Sequence, residues 1–336
     1  MTNFLVIPNL YKGNALTEVS KGLFRDIKKM SLNVKLIKFK QKIIILENGK
    51  LDNPEIFYKH SIEVLNQLKS KVKTDDKILF VDLFQLGLAL INYYFEGTNK
   101  KIKYGGLMHG ASFIKRDFYE KNTWLEHFER GMINLMDVVY VPSKYYANFF
   151  KNEEIGYKIK IMPFGFYPDN IPCNISSKKD IDVVIPHRFK WDKLPEFYLD
   201  LIKSMPDIKF GLFGSVANEE DTELIRLYNQ LIDLPNVVQI GIKTGNKSLE
   251  IMRRSKVVIG LRDSFGYAFR EAMASGCIPV LRNKTCYPEF IPKKYLFGNL
   301  KDARKLIRKF VYNYPMDYIK PESYSFRDIL EDFYGN

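Results

Sequence analysis

The sequence predicts an α/β protein made of two Rossmann-like domains in tandem. Three observations predict it. The chain has 336 residues, which suits two domains of roughly 150 residues each. Short runs of Val, Ile, Leu and Phe alternate with stretches of helical spacing, the pattern of parallel strands joined by crossover helices. The alternation breaks once, over Tyr167 to Lys179, where two prolines and an Asn-Ile-Ser-Ser-Lys-Lys run carry no periodicity, and then it restarts.

In the first half, Phe4 to Ile7 reads as a buried strand, Asn9 to Gly13 as a loop and Ala15 to Met30 as a helix. Val34 to Phe39 and Ile43 to Leu46 read as strands, and Tyr58 to Val72 as an amphipathic helix. Lys77 to Asp82 is a strand ending in an acid, followed by a helix over Leu83 to Phe95. Ile102 to Met108 is a strand running into His109-Gly110, Trp124 to Leu135 a helix, and Asp137 to Val141 and Ile159 to Met162 short strands. In the second half, strands are expected at Asp182 to Pro186, Lys209 to Gly214, Val237 to Ile240, Lys256 to Gly260 and Ile278 to Leu281. Helices are expected at Leu194 to Ser204, Glu219 to Leu231, Ser248 to Ser255, Ala268 to Ala274, Leu300 to Tyr312 and Phe326 to Tyr334. The implied organisation is a first domain over 1–168, a linker over 169–180, a second domain over 181–315, and a helical tail over 316–336 returning toward the first domain.

Composition narrows the setting. A hydrophobic fraction of 46% suits a globular protein with real cores. No apolar run reaches the length of a membrane span, and the N-terminus lacks the pattern of a signal peptide. Three cysteines without a CxxC pair argue against a disulfide framework and a structural zinc site, so a cytoplasmic home is expected. The net charge of +13 favours an anionic partner such as nucleic acid, a phosphorylated substrate or an acidic membrane surface. An AT-rich genome would also enrich lysine.

In open α/β sheets, ligands bind beyond the carboxyl ends of the strands. The richest such segment is Asp263-Ser-Phe-Gly-Tyr-Ala-Phe-Arg-Glu271, leading into Ala-Met-Ala-Ser-Gly276-Cys-Ile-Pro279-Val. A strand enters a loop there, and a helix begins near Gly266. Helix-start amides carry partial positive charge and can seat a phosphate, and a glycine allows close backbone approach. Asp263 on the loop and Glu271 in the helix can accept hydrogen bonds from sugar hydroxyls. This segment resembles the donor-binding element of GT-B glycosyltransferases of family 4, Glu-x7-Glu with Phe-Gly inside, with Asp263 in place of the first glutamate. The resemblance implies two Rossmann-like domains facing across a cleft, with a nucleotide sugar held by the second. It also implies that Glu271 holds the donor ribose, Asp263 faces the donor sugar, and Ser264, Phe265 and Gly266 offer backbone amides.

The loop Pro186-His187-Arg188-Phe-Lys190-Trp-Asp-Lys193 follows the first strand of the second domain. Arg188 and Lys193 match the spacing of the Arg and Lys that neutralise the donor pyrophosphate in the same family. Fixed cations stabilise a diphosphate that gains charge as the glycosidic bond breaks. A solvated basic loop is the plainer alternative. His109, after its strand, matches a family histidine near the donor sugar, able to bond a hydroxyl or the developing charge; a buried structural histidine is the alternative. His187 and His127 read as structural. The loop with Gly13 matches the position of the first-domain loop that approaches donor and acceptor. Asp180-Ile-Asp182 has a metal-binding form in another glycosyltransferase class, but it begins a strand here and is discounted. The resemblance therefore implies no metal and no cofactor beyond a UDP- or GDP-sugar co-substrate. Asp82 is either an acceptor-side acid or a helix cap.

The stretch Tyr287-Pro-Glu-Phe-Ile-Pro292, together with His187-Arg-Phe-Lys-Trp-Asp-Lys193, looks more like the branch that mannosylates queuosine in tRNA. Enzymes that glycosylate a modified DNA base, as phages encode, would share that tail, which would put the chain in a host cytoplasm. The acceptor is then a hydroxyl on a modified nucleobase, transfer is retaining by resemblance, and nucleic acid is a partner. Lys100, Lys101 and Lys103 could meet phosphates. Phe113, Phe118, Tyr119 and Trp124 could stack on a flipped base, though core packing is their plainer role. Two other readings compete. One is transfer to a glycolipid or surface polysaccharide, with Ala15 to Met30 and its Lys21, Arg25, Lys28 and Lys29 lying on a membrane. The other is a non-catalytic nucleic-acid-binding protein, against which the set Arg188, Lys193, Asp263 and Glu271 argues.

Overall fold

The computed structural model describes all residues except 8–14, 39–53, 84–86, 115–122, 172–177, 215, 217–220, 242–245, 264, 315–318 and 336. The chain forms two compact units: unit 1 holds 1–165 with 324–336, and unit 2 holds 166–323. Each is built on a six-stranded sheet whose strands all run parallel. The predicted α/β class with two Rossmann-like domains is what the chain forms.

Unit 1 runs β1 (Asn3–Val6), α1 (Ala15–Lys29), β2 (Val34–Ile37), α2 (Pro54–Lys69), β3 (Lys77–Phe80), α3 (Leu88–Gly97), β4 (Lys103–Leu107), α4 (Thr123–Leu135), β5 (Val138–Val141), α5 (Lys144–Ala147) and β6 (Ile159–Ile161). The sheet order is β2-β1-β3-β4-β5-β6. Strands β3 and β5 are buried at every position, so they read as continuous apolar runs rather than alternating ones.

Unit 2 runs β7 (Ile181–Ile185), α6 (Pro195–Lys203), β8 (Phe210–Phe213), α7 (Thr222–Ile232), β9 (Val237–Gly241), α8 (Asn246–Arg253), β10 (Ser255–Gly260), α9 (Tyr267–Ala274), β11 (Ile278–Arg282), α10 (Tyr287–Phe290), β12 (Leu296–Phe297) and α11 (Leu300–Tyr312). Its sheet order is β12-β11-β10-β7-β8-β9. The final helix, α12 (Arg327–Tyr334), belongs to unit 1. Asp26, buried on α1, accepts from the Phe326 amide at 2.8 Å and the Ser325 hydroxyl at 2.9 Å, which fixes the start of α12. Asp332 accepts from Tyr140 on β5 at 2.7 Å and from Lys160 on β6 at 2.6 Å. Burial alone would raise the Asp332 carboxyl, but those two bonds outweigh it and hold the group below the usual carboxylate range.

Several boundaries differ from the sequence reading. The helix expected from Tyr58 begins one turn earlier, with Pro54 in the first turn, where proline has no amide to waste. The helix expected from Leu83 begins only at Leu88, because the Leu83 amide bonds Leu107 O at 3.0 Å and stays with the sheet. Ser255, expected to end a helix, instead opens β10, paired with Ile181 of β7. The strand expected over Ile43 to Leu46 lies outside the described residues.

Among the described residues no helix is long and apolar enough to cross a membrane. The apolar face of α1 is core: Val19 and Leu23 are fully buried and Ile27 nearly so, while Lys21, Lys28 and Lys29 are exposed. Among its described residues, the apolar side chains of α1 are committed to the core and the lysines face outward.

Candidate functional site

The strand order of unit 2 reverses beside β7. The chain proceeds from β7 through β8 to β9 on one side, then crosses back to β10, β11 and β12 on the other. The carboxyl ends of β7 and β10 flank the switch point of an open parallel sheet, the usual place for a ligand. The loop after β7 carries Arg188 and Lys193, and the loop after β10 carries Asp263. Pairing of Val183 with Val257 and Val184 with Val258 sets the two loops side by side.

The β7 loop is pinned along its length. Phe189 forms a parallel bridge with Val216. The Trp191 indole donates to Asp221, the carboxylate that also caps α7 through the Leu224 amide at 3.0 Å. Leu194 sits in the left-handed region at φ 58°, and the chain turns through it into α6 with Pro195 in the first turn. Gly214 at the end of β8 has φ +79°, and a Cβ there would lie 2.9 Å from Arg188 Cα, so glycine is required for the loop to approach. The Arg188 side chain itself is exposed.

Lys193 bridges the two loops. Its Nζ donates to Arg262 O at 3.1 Å and lies 3.3 Å from Asp192 Oδ2 and 3.9 Å from Asp263 Oδ2. The sequence suggests two cations facing an anion; the structure surrounds one of them with two carboxylates. The formal charges of Arg188, Lys193, Asp192 and Asp263 cancel, so an arriving anion must compete with Asp192 and Asp263 for Lys193.

Asp263 does more than the resemblance implies. Its Oδ1 accepts from the Gly266 amide at 3.2 Å, closing the turn that opens α9. One of the amides expected for a phosphate is thus engaged by Asp263. Gly266 has φ +78°, and a Cβ there would fall 1.6 Å from the Phe269 ring, so no side chain fits. Arg270 holds this turn from beneath. It is 2% exposed, its guanidinium lies 4.3 Å from the Phe265 ring and 4.4 Å from the Phe290 ring, and its Nε donates to Phe265 O at 3.2 Å. Phe265 is buried and Glu271 is partly exposed, five residues beyond Gly266. Cys286 adds a bond to Asp263 O at 3.3 Å, and its thiol is pushed well up by burial and by the nearby Asp263 charge.

The sequence reading missed Asp192 and Arg270. An arginine inside Tyr-Ala-Phe-Arg-Glu-Ala-Met, on the side of α9 that meets the core, was the one visible signal.

The other expected residues are scattered. Ser264 and Gly13 lie outside the described residues. His109 is in unit 1, after β4. Its Nε2 is 2.8 Å from Val81 O, and its ring packs on Phe164 at 4.9 Å between centroids. Burial lowers its pKa against the pull of Asp82, so the ring is neutral, donates from Nε2, and keeps Nδ1 as an acceptor. Asp180 pairs with Arg254 at 2.5 Å and Asp182 with Lys256 at 2.8 Å, at the end of β7 away from the loop. Lys100 donates to Val72 O at 2.8 Å and Phe113 packs on Phe150 and under Arg130, which are structural duties. Phe118, Tyr119 and the Trp124 side chain lie outside the description. His127 is exposed.

No protein-family model matches the chain. It is similar to a tRNA-queuosine alpha-mannosyltransferase of Drosophila melanogaster, 29% identical over 143 residues, which are 41% of this chain and 36% of that protein. The matched part thus spans little more than a third of that relative. In structure it is similar to Anabaena Alr3699/HepE solved in complex with UDP-glucose, with TM-score 0.68, 13% identity, and 99% and 95% of the two chains covered. It is also similar to the UDP-GlcNAc 2-epimerase of Methanocaldococcus jannaschii, with TM-score 0.56, 12% identity and 100% of both chains covered. These likenesses show the fold, two α/β domains of the GT-B kind. The last one shows why the fold leaves the reaction open.

Proposed function

We propose that the protein is a glycosyltransferase that takes a sugar from a UDP- or GDP-sugar and places it on a hydroxyl of a modified nucleobase in DNA or tRNA. The observation that carries the donor half is the meeting of Lys193 with Arg262 O and Asp263 at the switch point of unit 2. Arg188, Lys193 and the start of α9 would hold the diphosphate, and Glu271 the ribose. In the reaction the bond between the sugar carbon and the phosphate oxygen breaks and the acceptor oxygen bonds to that carbon. The acceptor proton leaves with the nucleoside diphosphate or to water. Charge grows on the diphosphate as its bond lengthens, so positive groups already in place lower the barrier. Entry of the diphosphate would replace Asp192 and Asp263 as partners of Lys193 and release Asp263 Oδ2 for a sugar hydroxyl, with Oδ1 still on the Gly266 amide.

Metal independence, which the resemblance implies, leaves the work of the cation to Arg188 and Lys193. Retention, the outcome the resemblance implies, has the acceptor attack on the face the phosphate leaves from, with a phosphate oxygen taking the proton. A neutral His109 with an acceptor nitrogen suits a hydroxyl hydrogen rather than a negative charge. The acceptor half rests on the similarity to a tRNA-modifying mannosyltransferase and on the net charge of +13.

Incubation with radiolabelled UDP- and GDP-sugars and separate pools of modified DNA, tRNA and lipid tests both halves. Label is expected in a nucleic-acid pool. Label in lipid alone would overturn the acceptor, and a donor converted to its isomer with no transfer would overturn the reaction.

A further inference from the structure

We propose that His187 is a positioning residue that ties the main chain at Arg188 to α6 through Tyr198. The inference rests on the donor reading above, since it concerns what holds the diphosphate-gripping loop in place. His187 Nδ1 lies 3.2 Å from Arg188 O, and its Nε2 lies 2.8 Å from the Tyr198 hydroxyl on α6. Tyr198 is 1% exposed. Three groups, from α6 and the loop after β7, therefore form one line.

The proton positions along that line follow from bookkeeping of donors and acceptors. Burial, with Asp263 and Asp192 nearby, pushes the Tyr198 phenol well up, so it keeps its hydrogen. That hydrogen has His187 Nε2 before it, so Nε2 must be the acceptor. Burial, then the Lys193 charge, pushes the His187 ring down to about 4, against the pull of Asp192 and Asp263. A neutral ring accepting at Nε2 carries its hydrogen on Nδ1, and that hydrogen points to Arg188 O. The line reads Tyr198 O–H to His187 to Arg188 C=O.

Its consequence is local. Gly214 closes on Arg188 Cα from the other side, so the Arg188 backbone is held between a glycine and a ring while its side chain extends into solvent. A group meant only to fill space between β7 and α6 need not be polar. A ring that donates to the carbonyl of the adjacent gripping residue fixes where the guanidinium starts its reach.

His187→Asn and His187→Leu separate these roles. The two side chains branch alike at Cγ, but only asparagine can donate to Arg188 O from the Nδ1 position. Calorimetric titration of the full chain with UDP and UMP, and with GDP and GMP in parallel, reads the effect. His187→Leu is expected to weaken the diphosphate about tenfold and leave the monophosphate within about twofold, with His187→Asn, which keeps the bond to Arg188 O but cannot reach Tyr198, falling between leucine and wild type. Equal weakening of both nucleotides, or none, would overturn the proposal. Tyr198→Phe, which removes one hydroxyl, should show the same diphosphate-selective loss and serves if the leucine variant does not fold. Nitrogen-15 NMR of the wild-type ring should show a neutral imidazole protonated at Nδ1 near pH 6, independent of any nucleotide; a proton on Nε2 would break the line. Wild type that binds neither diphosphate overturns the donor reading itself, whereas binding that the variants leave unchanged overturns this inference alone.

Discussion

Lys193→Ala is expected to lower sugar transfer by about a thousandfold, the largest effect of any single truncation in the site. The substitution removes the cation that touches both loops. It also leaves Asp192 and Asp263, which lie 3.3 Å and 3.9 Å from the ammonium, without that charge between them. An arriving diphosphate would then meet two carboxylates where it needs a cation. The loss should appear in UDP affinity as well as in turnover, and Lys193→Arg should recover part of it. Steady-state kinetics with labelled donor check the expectation. Turnover within a few-fold of wild type would remove Lys193 from the mechanism.

Arg188→Ala is expected to cost about a hundredfold in kcat/KM with no change in melting temperature. The contrast with Lys193 follows from the surroundings. The Arg188 side chain is exposed, so truncation opens no cavity. Its backbone is held by Gly214 and His187 rather than by its own side chain. The loop should stay in place and only the grip should be lost. A large drop in melting temperature alongside the lost activity would show instead that Arg188 is structural.

Much of the fold was readable because the central strands of both sheets are buried on two faces. That burial makes runs such as Lys77-Ile-Leu-Phe-Val and Asp182-Val-Val-Ile visible as strands. What failed were the ends and the short pieces. Leu83 and Ser255 were misplaced because a single hydrogen bond or strand pairing from a distant element decided them. α5 and α10, four residues each, and the two-residue β12 are too short to carry a period. The candidate site divides the same way. Arg188, Lys193, Asp263 and Glu271 stand out by residue type and spacing within two segments. The contacts that give them character join positions far apart in sequence: Lys193 to Arg262 O, His187 to Tyr198 and Trp191 to Asp221. Asp263 shows the limit best. Its position pointed to a sugar, and the structure adds its bond to the Gly266 amide.

The central claim is that Lys193, Arg188 and the first turn of α9 together hold a nucleoside diphosphate. A crystal structure of the protein with UDP tests it most directly. The account predicts both phosphates within hydrogen-bond distance of Lys193 Nζ, the Arg188 guanidinium and the first α9 amides, with Glu271 on the ribose. A diphosphate seated elsewhere, with Lys193 still on Arg262 O and beside both carboxylates, would contradict it.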